Sequence, residues 1–567
     1  MPIYQNSFEG ITDPAASGIT SNADVTLSTE NFNYPGGGTA LEIVGILPEE
    51  RGSNLHVDLS IRKLLGEESL DLTDKTIYYS AFIPVDSAID RISLYAGKGN
   101  QFILLAEVTA DAWWNKGVWH DYHFDLSHAQ GAMKDCDTIR ITGLRPSSGD
   151  RATAYFLVDD LKWIRGDSFN IPVDDSIDSL RKYAANRHFK FGLYSSEVIF
   201  GWEDDPFKNT RDDTKDPWYA YVAVQEGVVN VVEDWSPRPN EDFSNLDYDP
   251  VEDASTIRQY NFGNANSMTP LGYGIGGLYF TAPEWLRTLD FPDATKALLL
   301  YHIERGLHYT RGQNPVWLLF NEFILGEGYG ANGLKYRKTP LLGIDGYDHG
   351  DSEHYSPWAA NRTDSSLIEA AFIKAHEVDP GATLLLNDYQ DEQIGLKKSE
   401  YFYQLASDLK AKGIPIDGVG FQMHNPIEPG GTLTFMIPFT WPWQWEHIDL
   451  DTYLNNVDLN VKRYASIGMK VAFTEVEGQF KIDDLDLTSA TGRAEYERRL
   501  QWQAECFAGL LKIALENENV IMFHIWGVTD RYQNGEAVPG YGNGFIFDRN
   551  YNPKPAYDAM LELLKGQ

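Results

Sequence analysis

Two glutamates stand where apolar, strand-like runs end: Glu322 closes Trp317-Leu-Leu-Phe-Asn321-Glu322, and Glu475 closes Val471-Ala-Phe-Thr474-Glu475. A carboxylate just past a buried strand is carried to the open rim of whatever the strand belongs to. Two such carboxylates facing each other can break a glycosidic bond with retention. One protonates the leaving oxygen, and the other attacks the anomeric carbon from roughly 5 to 5.5 Å away. The pair must hold different protonation states at one pH. Mutual repulsion raises one pKa, and glycosylation of the nucleophile lowers it again. The expected assignment is Glu322 as acid/base and Glu475 as nucleophile. Either glutamate alone could equally be a rim residue in an ion pair, so the neighbours carry the reading.

Asn321 precedes the acid, and its amide could hold a sugar 2-hydroxyl. Gln422 and His424, in Gly420-Phe-Gln422-Met-His424, alternate and are expected on one strand face. His424 would then keep the nucleophile ionised and Gln422 would orient the acid, because polar groups aimed into a packed interior need polar partners. Glu477 follows the nucleophile by two and could hold His424, or be a solvated acid. In His524-Ile-Trp526, the indole offers a flat platform for a pyranose ring, or a plug for the barrel mouth.

These residues need a frame that gathers strand ends. From Phe189 onward the chain alternates strand and helix. Apolar runs fall at Phe189–Tyr194, Val228–Val232, Leu271–Tyr279, Val316–Phe320, Thr383–Leu386, Gly418–Met423, Val471–Thr474 and Val520–Ile525. Helical patterns include Ala294–Tyr309, Ser365–Glu377, Lys398–Lys412, Leu450–Ile467, Arg493–Asn517 and Pro555–Leu564. Eight such units predict a (β/α)8 TIM barrel over 180–567, whose active site lies at the strands' C-terminal ends. No glycine-rich phosphate loop follows the first run, which argues against an open doubly wound sheet. Two long segments, 326–364 and 425–447, follow strands and should shape a cleft at that face. The second carries Trp441, Trp443 and Trp445, a stacking surface or a hydrophobic plug. Residues 1–166 read as short strands between Gly, Asn, Asp and Pro turns, predicting a β-sandwich of jelly-roll type. Residues 167–179 are polar and are expected to link the two domains.

The net charge of −36 repels nucleic-acid phosphate and anionic lipid, so neither is an expected partner. No run of 18 apolar residues appears, and none is expected to insert in a membrane. The start, Met1-Pro2-Ile3-Tyr4-Gln5, has no signal-peptide pattern. Cys136 and Cys506 fall in different proposed domains, so no disulfide is expected between them.

From about Gly192 to the C-terminus the chain resembles glycoside hydrolase family 10, the endo-β-1,4-xylanase family. The resemblance rests on Asn321-Glu322, on Glu377-Val-Asp-Pro380 through Leu386-Asn387-Asp388-Tyr389, and on Gln422-x-His424. It extends through Thr474-Glu475-Val476-Glu477 and Trp526-Gly-Val-Thr-Asp530, and ends with Phe547-Asp-Arg-Asn-Tyr-Asn-Pro-Lys-Pro-Ala-Tyr557. It implies catalysis without a cofactor, with Asn387, Tyr389, Trp285 and Trp526 as substrate contacts. It also implies a polysaccharide or oligosaccharide substrate, most simply xylan; a monomer is expected, secreted or at the cell surface, with a cytoplasmic location left open. The departures are specific. The family's third strand carries two histidines and a Trp that grip the sugar, where this chain has Gly272-Tyr-Gly-Ile-Gly-Gly-Leu-Tyr-Phe280. Glu477 stands where the family usually has Asp. Two alternatives stay open: the same mechanism on another β-glycan, and a non-catalytic glycan-binding protein on a degenerate barrel.

The first domain resembles the carbohydrate-binding modules joined to such barrels, through Ser7-Phe8-Glu9-Gly10 and Phe156-Leu-Val-Asp159-Asp160-Leu161. The resemblance implies a structural Ca2+ held by Glu9 with Asp159 or Asp160, whose oxygen ligands suit that hard cation. Trp113, Trp114 and Trp119 are candidate ligand platforms.

Overall fold

The computed structural model describes residues 4–6, 13–17, 19–28, 40–47, 53–65, 69, 71–72, 75–84, 87–89, 91–99, 101–109, 119–125, 135–144, 152–165, 171–194, 216–233, 254–273, 292–322, 365–428, 431–437, 444–487, 489–532 and 540–566. It divides into two compact units. One is Met1–Ser168 with 201–220 and 485–496; the other is Phe169–Phe200, Tyr221–Asp484 and Glu497–Gln567.

The first unit holds two antiparallel sheets. One runs Asp24–Ser28, Ala40–Leu47, Ala152–Arg165, Lys75–Phe82, Trp119–Asp125, with Tyr4–Asn6 also on Ala152–Arg165. The other runs Ile19–Ser21, Asn54–Ser60, Thr138–Leu144, Arg91–Lys98, Gln101–Thr109. Alternation drives them together: Leu55, Val57 and Leu59 are buried while Asn54, His56 and Asp58 between them are not. Ile43, Tyr79 and Phe156 of one sheet share a core with Val57, Leu94 and Ile141 of the other. This is the sandwich arrangement. Asn6 pairs with Leu161, and the register slips between Asp159 and Lys162. Glu9, Trp113 and Trp114, with the side chains of Trp119, Asp159 and Asp160, lie outside the described residues.

The second unit contains eight parallel strands: β1 (Lys190–Leu193), β2 (Val229–Glu233), β3 (Thr269–Tyr273), β4 (Val316–Asn321), β5 (Thr383–Asp388), β6 (Gly418–Phe421), β7 (Lys470–Val476) and β8 (Val520–Ile525). Their order is β1-β8-β7-β6-β5-β4-β3-β2. Val228 N donates to Phe191 O at 2.8 Å, bringing the two ends of that order together. Val229, Val231, Leu271, Val316, Leu318, Leu385, Ala472 and Met522 form one buried cluster contributed by β2, β3, β4, β5, β7 and β8. That is the layered interior of a closed barrel. Helices follow the strands at Pro217–Glu226, Ala254–Ala265, Pro292–Thr310, Ser366–Val378, Lys397–Ala411, Leu450–Ser466, Ala490–Glu516 and Pro555–Lys565. In Leu450–Ser466 the spacing shows why: Asp449 caps Thr452 N, and Tyr453, Val457, Val461 and Tyr464 bury one stripe.

Two expectations change here. From Ile171 the supposed linker belongs to the barrel unit: Ile171 is buried and its N–H donates to Asn266 Oδ1, while Asp174 N donates to Gln225 Oε1. The segment 425–447 is not a simple loop. Ile427–Glu428, Thr432–Ile437 and Gln444–Asp449 join Phe480–Lys481 and Tyr541–Gly542 in a five-stranded sheet, which ties together the connections after β6, β7 and β8. Segment 326–364 lies outside the described residues, as do Trp285, Trp441, Trp443 and the side chain of Trp445.

Candidate active site

Six barrel strands deliver the chemistry-bearing groups to one place. Glu475 is buried on β7, with Asn387 Nδ2 and Tyr273 Oη each donating to its Oε1 at 3.1 Å. His424 Nε2 lies 3.1 Å from its Oε2, and His424 Nδ1 lies 2.6 Å from Glu477 Oε1. Gln479 Nε2 donates to Glu477 Oε2 at 3.0 Å. Gln422 Nε2 reaches both Glu322 Oε1 and Asn321 Oδ1 at 3.0 Å, and Asn387 Nδ2 reaches Asn321 Oδ1 at 2.6 Å. Glu322 and Glu475 are thus joined through Gln422, Asn321 and Asn387. Thr474 Oγ1 fixes Asn387 by donating to its Oδ1 at 2.8 Å, and His524 Nδ1 sits 2.8 Å from Thr474 O.

Backbone conformation helps aim these side chains. Glu322 leaves β4 with φ 52° and Met423 has φ 63°, a left-handed region in which side-chain-bearing residues are uncommon and which clusters at functional sites. Met423 also corrects the expected alternation. Strand β6 stops at Phe421, so Gln422 and His424 arrive from a left-handed turn and not from one strand face. Gly420 makes room: a Cβ there would sit 2.2 Å from Asn387 Oδ1 and 2.9 Å from Thr474 Cγ2.

The electrostatics follow from burial and one cation. Burial pushes the Glu475 carboxyl above the ordinary range; His424 opposes this, and the charge of Glu322 adds to it. Burial alone would lower the His424 imidazole, but Glu477 and Glu475 outweigh it and hold its pKa well above the ordinary value. The imidazole therefore sits between two carboxylates, surroundings that favour its protonated form.

Several expected roles shift with the coordinates. Asn387, expected against sugar, is fully buried behind Glu475 and serves the carboxylate. Asn321 is buried, and its Oδ1 accepts from two amides, leaving Nδ2 as its donor end. The Tyr389 ring lies under Lys398 Nζ at 3.2 Å, and Lys398 pairs with buried Asp388 at 2.6 Å. Trp526 is partly exposed, 4.4 Å from the Tyr194 ring and 5.2 Å from the Tyr273 ring between centroids. Tyr273 and Gln479 were not anticipated. The run Leu271–Tyr279 put Tyr273 near the start of a strand, whereas the described β3 closes at Tyr273, so its position in the sequence gave no signal. Among the described residues, no three His, Cys, Asp or Glu side chains gather to hold a metal.

The family model of Glycosyl hydrolase family 10 matches residues 278–563, half of the chain. The chain belongs to that family. Among curated proteins it is 29% identical over 291 residues to "Endo-1,4-beta-xylanase B" of Thermotoga neapolitana, covering 51% of this chain and 65% of that protein. It is 31% identical over 275 residues to "Beta-1,4-xylanase" of Dictyoglomus thermophilum, covering 48% and 64%. The match thus spans under two thirds of each relative's length. Of solved structures, a GH10 endoxylanase retrieved from a sugarcane soil metagenome aligns with TM-score 0.50 and 20% identity, over 68% of this chain and all of that one, a likeness of fold.

Proposed function

We propose that the chain is a retaining endo-β-1,4-glycanase with xylan as its leading substrate. The observation that carries this is the continuous hydrogen-bonded bridge from Glu322 through Gln422, Asn321 and Asn387 to Glu475. In the first step Glu475 attacks the anomeric carbon while Glu322 protonates the departing oxygen. In the second, water attacks the same carbon, Glu322 takes its proton, and Glu475 leaves. His424, kept cationic by Glu477, holds Glu475 as carboxylate. The named xylanase relatives support xylan.

Glu475→Ala is expected to lose turnover by at least about 10⁴-fold. Azide should restore it on an activated aryl β-xyloside and yield the α-glycosyl azide. Loss of turnover without azide rescue would count against a nucleophilic role. One observation favours a second reading, the same mechanism on another β-glycan: Tyr273 occupies the end of the third strand, where no histidine is available to grip sugar. Product profiles on xylan, arabinoxylan, mixed-linkage glucan and cellulose separate the two. Turnover on none of them would favour the glycan-binding alternative.

The sandwich reads as a carbohydrate-binding module of jelly-roll type, and Ca2+ held by Glu9 with Asp159 or Asp160 stays a proposal from sequence. Chelator should then lower the melting temperature of the first unit's transition, and Glu9→Gln should abolish that difference. An unchanged melting curve removes the proposal. A polymeric substrate that cannot cross a membrane supports action outside the cell. No helix among the described residues is long and apolar enough to cross a membrane.

A further inference from the structure

Glu475 Oε1 takes two donors, the Tyr273 phenol and the Asn387 amide, each at 3.1 Å. Its Oε2 takes one, from His424. A carboxylate oxygen has about two lone-pair sites in its plane. Among the described residues Oε1 is therefore filled, while Oε2 keeps one site open. The phenol has a single proton and, among the described residues, two acceptors in reach, Glu475 Oε1 at 3.1 Å and Thr474 O at 3.3 Å. The nearer acceptor carries the charge, and charge-assisted bonds are the stronger kind. Tyr273 is fully buried, and its ring packs against Trp526, so the phenol is held in place from behind.

We propose that Tyr273 is a positioning residue for the nucleophile, which together with Asn387 occupies Oε1 and leaves Oε2 as the attacking oxygen. This rests on the reading of Glu475 as nucleophile. In the first step a bond forms between Oε2 and the anomeric carbon, the bond to the leaving oxygen breaks, and that oxygen takes its proton from Glu322. Oε1 becomes the ester carbonyl oxygen, still held by Tyr273 and Asn387. In the second step the bond from the anomeric carbon to Oε2 breaks, its electron pair returns to the carboxylate, and water supplies the new oxygen and gives a proton to Glu322. Charge then reappears on Oε1, under the Tyr273 donor. A donor at Oε1 restrains the basicity of the attacking carboxylate but stabilises the departing one. Tyr273 therefore favours release of the sugar from the enzyme more than attack on it.

Tyr273→Phe removes the donor and keeps the ring. On 2,4-dinitrophenyl β-xylobioside it is expected to lower kcat about ten- to a hundredfold, the worth of one hydrogen bond to a charged group. The ratio kcat/KM, which reports attack, should change less than about threefold in either direction, so KM falls with kcat. A burst of dinitrophenol stoichiometric with enzyme should appear, and intact mass should show the glycosylated protein. The acid limb of kcat/KM should move to higher pH, because Tyr273 helps hold the carboxyl ionised. If the Phe variant does not fold, 3-fluorotyrosine at 273, a stronger donor, provides the converse: the acid limb should move down. Equal loss of kcat and kcat/KM without a burst, or an acid limb unmoved by both replacements, overturns the proposal. Wild-type protein that releases no dinitrophenol overturns the functional reading and this inference with it; normal wild-type turnover with either contrary result overturns this inference alone.

Discussion

Glu475 and Glu477 stand on either side of His424 and raise the pKa of its imidazole. A group whose folded pKa is raised contributes stability below its unfolded pKa and loses it as pH rises through the folded one. For His424 the loss therefore begins at the ordinary imidazole pKa and runs up to the raised folded one. The catalytic consequence is on the acid side. His424→Asn removes the cation nearest Glu475, so the acid limb of kcat/KM should move up by on the order of one pH unit. An unmoved limb with reduced kcat would mean that His424 only fills space. At this scale the sequence showed which residues carry the charge but not how they are oriented. Glu322 and Glu475 were legible from type and strand position, Gln422 and His424 from type and order along the chain. Asn387 was read as a sugar contact because residue type says nothing of burial. Tyr273 was passed over because that strand was read for its missing histidines, and its hydroxyl meets Glu475 only across the barrel.

Strand ends and connections decide how rigidly these groups are held. Lys554 pairs with buried Asp530 at 2.9 Å and donates to Asn543 O and Phe545 O, fixing the connection after β8. Gln503 Nε2 donates to Gly478 O and Asn543 O, tying the connection after β7 to the same place. Glu226, at the end of Pro217–Glu226, accepts from Leu180 N at 2.8 Å and Tyr557 Oη at 3.2 Å, joining the first and last helices of the barrel unit. Burial pushes its carboxyl up to about 7. The folded protein thus binds this proton more tightly than the unfolded chain. The stabilisation is full below the ordinary carboxylate pKa and is lost as pH rises through about 7, on the order of 3 kcal/mol. Glu226→Gln should melt with a smaller difference between pH 5 and pH 8 than wild type; an equal difference would refute the assignment. All eight barrel strands were legible because buried parallel strands read as apolar runs. The hairpin in 425–447 was not, though Thr432-Leu-Thr-Phe-Met-Ile437 carries strand residues after a Gly-Gly turn. Its partners Phe480–Lys481 and Tyr541–Gly542 are each two residues long, too short to read as strands.

At the scale of the whole molecule, the chain joins an antiparallel sandwich to a parallel barrel under a net charge of −36. That charge suits a neutral polyhydroxylated ligand better than an anionic one. Family membership and the bridge between Glu322 and Glu475 both point to bond cleavage with retention, and the anomer first released reports this without regard to which polymer is preferred. The decisive measurement is proton NMR of the full chain acting on a β-xylo-oligosaccharide, read before mutarotation. The account predicts the β-anomer first, with the α-anomer growing in only as the sugar equilibrates. Initial release of the α-anomer would contradict it.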